Sequence, residues 1–259
     1  MKMKIATFNA NSIRARLPVL GRWLEQARPD VLCVQETKVV DADFPVPDIE
    51  AMGYRVVFRG EKSYNGVAIL SLHEFESVSH GFDGKGDDEG TRLLAVRVKG
   101  IDIVNTYIPQ GTSPDSDRFQ YKLDWFGRIK KYFSKRYATN DRLIWAGDFN
   151  VAPEPMDVHD PKRLLGHVGF HPDEHRALAA VKKWGFVDIF RKHRPDPGEY
   201  SFWDYRVRDS VAGGLGWRVD HIWGTEAMAG LSTGAWIDRE PRQWEKPSDH
   251  TPVVAEFSL

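Results

Sequence analysis

Cysteine is nearly absent: Cys33 is the single one among 259 residues, so the chain can form no internal disulfide and no cysteine-built metal cage. It lies in the apolar run Val31-Leu32-Cys33-Val34, where a buried, inert thiol in a reducing compartment is expected. An excess of one charge is also missing. Lys and Arg number 36 against 37 Asp and Glu, a net charge of −1, so no whole-molecule cationic field holds a polyanion and any nucleic-acid contact must be local. No apolar run is long enough to span a bilayer, and Met1-Lys2-Met3-Lys4-Ile5 enters a strand pattern directly; a soluble, cytoplasmic protein without a membrane partner is expected. No Pro/Gly/Ser-rich linker or low-complexity tract divides the chain, and one domain over residues 1–259 is predicted. His-Glu-x-x-His and Gly-x-Ser-x-Gly patterns do not occur, and Gly213-Gly214-Leu215-Gly216 lacks the Lys-Ser/Thr of a phosphate loop and reads as a flexible loop.

Apolar residues make up 41% of the chain and aromatics 12%, with nine Trp, enough for a large core and for flat stacking surfaces beyond it. Residues 4–8 read as a strand, 14–26 as a helix, and 31–35 as a second strand that ends at Glu36. Strands follow at 54–59, 66–72, 91–98 and 101–107, the last two joined by a hairpin through Lys99-Gly100. Over 119–135 the apolar residues Phe119, Leu123, Phe126, Ile129 and Phe133 recur at helical spacing, and the Arg and Lys residues of that helix are expected to face outward. Residues 142–146 form a strand leading to Asp148, 172–184 a helix with Asp173 and Glu174 in its first turn, and 251–257 a closing strand. The pairs Phe8-Asn9 and Phe149-Asn150 end comparable strands. This echo predicts two strand-rich halves packed face to face: an α/β sandwich of mixed, largely antiparallel sheets, helices outside, motif-bearing loops along one edge.

Three acidic motifs sit where apolar strands give way to polar residues: Gln35-Glu36-Thr37-Lys38, Gly147-Asp148-Phe149-Asn150 and Ser248-Asp249-His250. A hard cation such as Mg²⁺ takes oxygen ligands, one or two of them carboxylates, so acids on strand ends suit it. Glu36 should stand at the solvent end of its strand; the plainer alternative is an ordinary surface glutamate. Asp148 and Asn150 alternate across a strand end and point the same way, with Phe149 anchoring the backbone. One can take a proton from water while the other hydrogen-bonds a phosphate oxygen; local capping of a turn is the competing account. Asp249-His250 precedes Thr251-Pro252, and Asp220 follows Trp217-Arg218-Val219. An Asp in reach of a His fixes its tautomer and lets it present a charged donor to phosphate, so Asp220 is expected to orient His250. Together these residues have the layout of a metal-assisted phosphodiesterase.

The set Phe8-Asn9, Gln35-Glu36-Thr37-Lys38, Tyr107-Ile108-Pro109-Gln110-Gly111, Gly147-Asp148-Phe149-Asn150, Trp217-Arg218-Val219-Asp220 and Glu245-Lys246-Pro247-Ser248-Asp249-His250 occurs in one order from end to end. In it the chain resembles the exonuclease III family of apurinic/apyrimidinic endonucleases, within the endonuclease/exonuclease/phosphatase superfamily, and the bacterial branch above all. The resemblance implies a four-layered α/β sandwich and hydrolysis on the 5′ side of an abasic site with Mg²⁺, or Mn²⁺, as cofactor. It also implies 3′ to 5′ exonuclease and 3′-end trimming activity, double-stranded DNA with abasic sites or damaged 3′ ends as partner, a monomer, and nucleoid association in a prokaryote. By the same resemblance Glu36, Asp249 and Asn9 ligate the metal with Asp148 and Asn150. Asp148 activates water or protonates the leaving group, Asn150 stabilises the pentacovalent phosphate, Tyr107 contacts phosphate, and Asp220 and His250 act as a pair. Phe202, Trp217 and Val219 would form a pocket for the flipped-out sugar, too tight for a base. Arg14, Tyr64, Arg92 and Arg206 match DNA-contacting positions. Two departures bear on DNA grip: Asn11-Ser12-Ile13 stands where the family commonly has Asn or Asp followed by Gly, and residues 164–167 lack the Asn residues of eukaryotic relatives. The competing functions are a metal-dependent phosphodiesterase or phosphatase acting on a small molecule or lipid, and a non-catalytic DNA-binding protein. Phe202, Trp217 and Arg206 favour DNA over the first, and the complete catalytic set disfavours the second.

Overall fold

A computed structural model describes residues 2–83 and 90–259. The chain opens with β1 (Lys2–Asn9), α1 (Ile13–Ala27) and β2 (Val31–Gln35), then α2 (Val46–Ala51) and the strands β3 (Arg55–Arg59), β4 (Val67–Ser71), β5 (Ser77–His80), β6 (Leu93–Val98) and β7 (Ile101–Tyr107). Helix α3 (Asp117–Arg136) leads to β8 (Leu143–Asp148), the short α4 (Pro161–Leu164), α5 (Pro172–Lys182), β9 (Phe186–Asp188) and α6 (Ile189–His193). β10 (Asp220–Thr225), α7 (Glu226–Leu231), β11 (Ser232–Ile237) and β12 (Val253–Ser258) complete the order. Local signals explain the main boundaries. Ser116 caps α3 by accepting from Phe119 N, Lys135 and Arg136 complement its last turn, and the β6–β7 hairpin turns through Lys99 and Gly100, both at positive φ (49° and 73°). Among the described residues no helix is long and apolar enough to cross a membrane.

The strands form two six-stranded sheets, in the orders β11-β12-β1-β2-β4-β3 and β5-β6-β7-β8-β10-β9. Each contains one parallel pair made by a helical crossover, β1–β2 through α1 and β7–β8 through α3, with antiparallel strands around it. The expectation of two sequence halves, one per sheet, needs correction. The last strand returns to the first sheet, where β12 pairs antiparallel with β1 and β11 flanks it, so both ends of the chain build one sheet. β1 is buried on both faces and needs a neighbour on each edge, and the apolar β12 supplies the one that β2 does not.

Three apolar layers separate four structural ones. Ile5, Cys33, Ile69, Ile103, Ile144 and Ile222 fill the space between the sheets. Trp125, Phe126, Ile129 and Phe133 of α3 pack on Trp145, Phe149 and Trp223 outside the second sheet, and Leu20, Trp23 and Leu24 of α1 pack on Ala6, Phe8, Leu32 and Val34 outside the first. Strand alternation then sets the site. The rows facing the inter-sheet layer read Met3, Ile5, Thr7, Asn9 on β1, Val31, Cys33, Gln35 on β2, and Ile101, Ile103, Asn105, Tyr107 on β7. On β8 the row is Ile144, Ala146, Asp148, and Asp220 at the start of β10 pairs directly with Asp148. Every row is apolar at one end and polar at the other, and all the polar ends coincide.

Two cations are buried, the first of them against expectation. Lys122 of α3, expected outward with the other basic residues of that helix, is fully buried. Arg218, just before β10, is buried as well, with Nε and Nη2 on Asp157 at 2.7 and 3.1 Å, Nη2 on Asp188 at 2.8 Å, and Arg191 adding a second cation to Asp157. Burial alone would raise the Asp157 carboxyl, but Arg218 and Arg191 outweigh it and hold it below its ordinary value. The cluster ties the loop after β8 to β9 and to the segment that leads into β10. Removing one partner leaves an unpaired buried charge, so Asp157→Asn is expected to cost about 3–5 kcal/mol at neutral pH. Because the Asp157 carboxyl is depressed on folding, its contribution is fully present above the ordinary value of 3.8 and fades as pH falls through the folded one. Denaturant unfolding of both proteins across acid pH checks this: the gap in stability between them should narrow below that value.

Candidate active site

At the polar end of the inter-sheet layer, Asn9 Nδ2 donates to Glu36 Oε1 at 2.7 Å and to Asp148 Oδ2 at 2.8 Å. Ligand atoms of Glu36, Asp148 and His250 all lie within 4.8 Å of one another, a grouping that can hold a metal ion. His250 Nδ1 is 2.8 Å from Asp220 Oδ2, as expected, and its Nε2 is 3.9 Å from Asp148 Oδ2. Ser201, whose place in the site no sequence signal announced, sets Asp220 by accepting from its backbone N–H at 3.1 Å. Burial opposes a charge on His250, but Asp220 and Asp148 outweigh it and push the imidazole up to about 10, so it is an imidazolium at neutral pH. Burial, with Asp220 and Glu36 added and His250 opposing, pushes the Asp148 carboxyl up to about 7. The Tyr107 phenol is held well above its ordinary value, by burial first and then by Glu36 and Asp148, and stays a neutral donor. Arg92 lies over the Tyr107 ring at 5.0 Å and donates through Nη1 to the Tyr107 carbonyl at 3.2 Å.

The donor chemistry fits a hard divalent cation: two carboxylates, Glu36 and Asp148, converge in a buried pocket where their mutual repulsion is relieved by positive charge. The three other expected ligands stand beside this pair, each in a hydrogen bond. Asn9 aims its N–H at the carboxylates, while its Oδ1 accepts from Asn11 N at 2.9 Å. Asn150 likewise presents Nδ2, to Ile108 O at 2.9 Å and to Asp148 Oδ2 at 3.3 Å. Asp249 stands outside the three-residue grouping, its Oδ1 accepting from Asn11 Nδ2 at 2.9 Å. The Asn9 and Asn150 amides place N–H donors against the Asp148 carboxylate, which offsets the repulsion between acids this close.

Backbone geometry delivers these side chains. Glu36 and Lys38 adopt left-handed φ of 50° and 52°, pinned by Ser12 N to Glu36 O (2.8 Å), Thr37 N to Gly66 O (3.2 Å) and Lys38 N to Asn65 O (3.0 Å). Asn150 is left-handed too, at φ 51°, and its N–H donates to Asp148 Oδ1 at 2.8 Å. Asp148 and Asn150 do converge, through this turn rather than through simple strand alternation. The departure at Asn11-Ser12 also has a structural meaning. These residues hold φ 45° and 89°, a conformation glycine takes without strain, and Asn11 touches both Asp249 and Lys38, so this position supports the site itself. Lys38 Nζ lies 2.7 Å from Glu36 Oε2 and pairs with it; its motif was legible but this contact was not.

At the rim Phe202 bridges to both Trp217 and His250, with ring centroids of Phe202 and His250 4.8 Å apart. Trp217 is half-buried, seated on Gly169, and Val219, two residues on, is buried. Arg14, in the first turn of α1, and Tyr64, beside the Asn65 that holds Lys38, are exposed next to the Glu36 loop. Arg206 is exposed, its guanidinium gripped by Asp204 at 2.6–3.0 Å, which offsets part of its charge.

A profile described as the Endonuclease/Exonuclease/phosphatase family matches residues 6–250. The chain belongs to this family. It is 32% identical to exodeoxyribonuclease III of Haemophilus influenzae, over 98% of this chain and 100% of that protein. An AP endonuclease from Archaeoglobus fulgidus superposes with a TM-score of 0.96 at 49% identity, over 99% of this chain and 100% of that one. A 3′ phosphatase from Neisseria, solved bound to a product DNA hairpin, gives a TM-score of 0.94 at 35% identity, over 99% and 100%. This member of the endonuclease/exonuclease/phosphatase family is thus a hydrolytic nuclease of α/β fold, in a family whose members depend on metal.

Gly147, at φ 143°, is the position on which Asp148 turns inward. A Cβ there would stand 2.0 Å from the Thr106 carbonyl oxygen of the neighbouring strand. Gly147→Ala is expected to cost about 1–3 kcal/mol in denaturant unfolding and, by shifting Asp148, to lower nuclease turnover by about 10²-fold. Unchanged turnover in the folded variant would count against this placement of Asp148.

Proposed function

We propose that the protein is a DNA repair nuclease that, acting as a monomer, hydrolyses the phosphodiester on the 5′ side of an abasic site and trims damaged 3′ ends. The observation that carries this reading is the convergence of Glu36, Asp148 and the Asp220–His250 pair beside the Phe202–Trp217 aromatic wall, all from one chain. By their names its relatives are an exodeoxyribonuclease III in Haemophilus, an AP endonuclease in Archaeoglobus and a 3′ phosphatase in Neisseria, which supports this reading.

In this reading the target phosphate is presented to His250 Nε2, with the attacking water at the Asp148 carboxylate. Asp148, poised near neutrality, takes a proton from the attacking water at Oδ2. The water oxygen bonds to phosphorus as the bond to the 3′ oxygen breaks, and that oxygen takes a proton from solvent to leave as the 3′-hydroxyl. His250, kept cationic by Asp220, donates from Nε2 to a phosphate oxygen; Tyr107 donates its phenol. Asn150 turns its long 3.3 Å contact from Asp148 to the phosphate, where negative charge grows. Glu36 and Asp148 would hold a divalent cation, Mg²⁺ with Mn²⁺ as substitute, which supplies charge neutralisation on the phosphate. The half-buried Phe202 and Trp217 with the buried Val219 offer an apolar niche to a sugar without its base, the nucleotide that costs least to extrude. Arg14, Tyr64, Arg92 and Arg206 supply local grip on a molecule of net charge −1.

The test is cleavage of an end-labelled duplex with one tetrahydrofuran abasic analogue, beside an undamaged duplex. A nick 5′ to the analogue leaving a 3′-hydroxyl, abolished by EDTA and restored by Mg²⁺, is expected. Asp148→Asn should lower turnover by about 10²–10⁴-fold with duplex binding kept. Cleavage of neither duplex, alongside hydrolysis of small phosphodiesters, would refute the DNA substrate; full activity in Asp148→Asn would refute the assigned base.

A further inference from the structure

The chain has a fully buried ion pair behind the site that the reaction as described does not use. Lys122 Nζ, at 0% side-chain exposure, lies 2.5 Å from Glu174 Oε1, also at 0%. Two of its donors go to backbone: Asn150 O at 2.7 Å and Gln110 O at 3.0 Å. Glu174 is anchored in turn, because its Oε2 accepts from Gly169 N at 2.8 Å and His171 N at 3.1 Å. By two hydrogen bonds and one ion pair a single ammonium thus joins the segment after β7, the residue after Phe149, and the start of α5.

This is an expensive way to fill space. A buried ion pair commonly contributes no more to stability than apolar residues of the same volume, because both charges are desolvated. What an apolar filler cannot do is hold two carbonyl oxygens. The carbonyl it holds most closely belongs to Asn150, a non-glycine residue at φ 51° whose side chain must sit over Asp148. The next two carbonyls are held as well, Val151 O by His221 Nε2 at 2.9 Å and Ala152 O by His175 Nε2 at 3.0 Å, so the strap downstream cannot absorb a shift at Asn150. Among these tethers, Lys122 alone also reaches the Gln110 carbonyl, two residues from the Ile108 carbonyl that receives the Asn150 amide.

We propose that Lys122, backed by Glu174, is a positioning residue for catalysis: by fixing the Asn150 and Gln110 carbonyls it holds the Asn150 amide in place over Asp148, and so sets turnover rather than DNA binding. The inference rests on the reading of Asn150 as a phosphate donor.

The experiment is a mutant cycle in steady-state kinetics on the abasic duplex, with folding of each variant checked by circular dichroism and thermal unfolding. Lys122→Met combined with Glu174→Gln removes both charges while leaving a carbonyl oxygen for the Gly169 and His171 N–H groups. This pair of changes is expected to lower kcat by about 10–100-fold, with KM within about threefold of the parent. In an Asn150→Ala background the same pair should lower kcat by less than about twofold further, since it acts through Asn150. Normal kcat in the folded pair variant, or losses that multiply across the cycle, would overturn the proposal; so would a loss confined to thermal stability. Asn150→Ala with full kcat would instead overturn the donor reading on which the proposal rests, a different outcome from a normal pair variant beside an impaired Asn150→Ala. Should the pair variant not fold, Lys122→Gln carries the same cycle, since it keeps a donor for a carbonyl without the charge. A kcat loss that vanishes with Asn150→Ala supports the proposal, and one that persists overturns it.

Discussion

One amide group, Asn9 Nδ2, holds together two carboxylates from opposite sheets: Glu36, 27 residues along the chain, and Asp148, 139 residues along. Without a donor between them, two acids this close in a buried place would repel and the strand ends would part. The sheets therefore have to pack in one register, and a second polar tie enforces it further in. Asn105 of β7 donates to Val34 O at 3.0 Å and Ala68 O at 2.9 Å in the other sheet and accepts from Gln35 Nε2 at 2.7 Å. Apolar packing alone would tolerate a small slide between sheets; these directional bonds do not.

The low dielectric that the aromatic-rich layers create is also what gives the site its chemistry. Burial and neighbouring acids push Asp148 to about 7, and the surrounding carboxylates keep His250 charged up to about 10. A carboxyl poised near neutrality stands beside a permanent imidazolium, and each owes its state to groups brought from elsewhere in the chain. Such a site is destabilising in itself. It persists because the frame around it is over-determined, with Arg218 chelating Asp157 and Asp188 on one side and Lys122 and Glu174 joined on the other.

Substrate grip follows a different logic from catalysis. With a net charge of −1 the protein has little long-range attraction for DNA, so a few cations and rings have to be placed next to the site. Arg14 and Tyr64 flank the loop that carries Glu36, and Arg92 stacks on the very Tyr107 that faces the pocket.

Much of this was legible because strand alternation, helix spacing and turn chemistry are local. The acid at each strand end, the amphipathic run of α3 and the Lys99-Gly100 hairpin all follow from short-range pattern. Other features are invisible to that kind of reading because they depend on what arrives from a distance. Lys122 lies on a helix whose other cations face water, and only the approach of Glu174 and two loop carbonyls makes its burial tolerable. Asn9 and Asn150 carry both an oxygen and an N–H, and which of these faces the site is settled by carboxylates from other strands. The return of β12 to β1 was likewise open, since one apolar strand pairs as well as another until the edges compete. By itself the sequence determined the elements, the inventory of reactive groups and the edge on which they gather. The tertiary structure alone decided which groups touch, how each is oriented and what charge it carries, because orientation and charge are properties of a shared low-dielectric environment that no single segment contains.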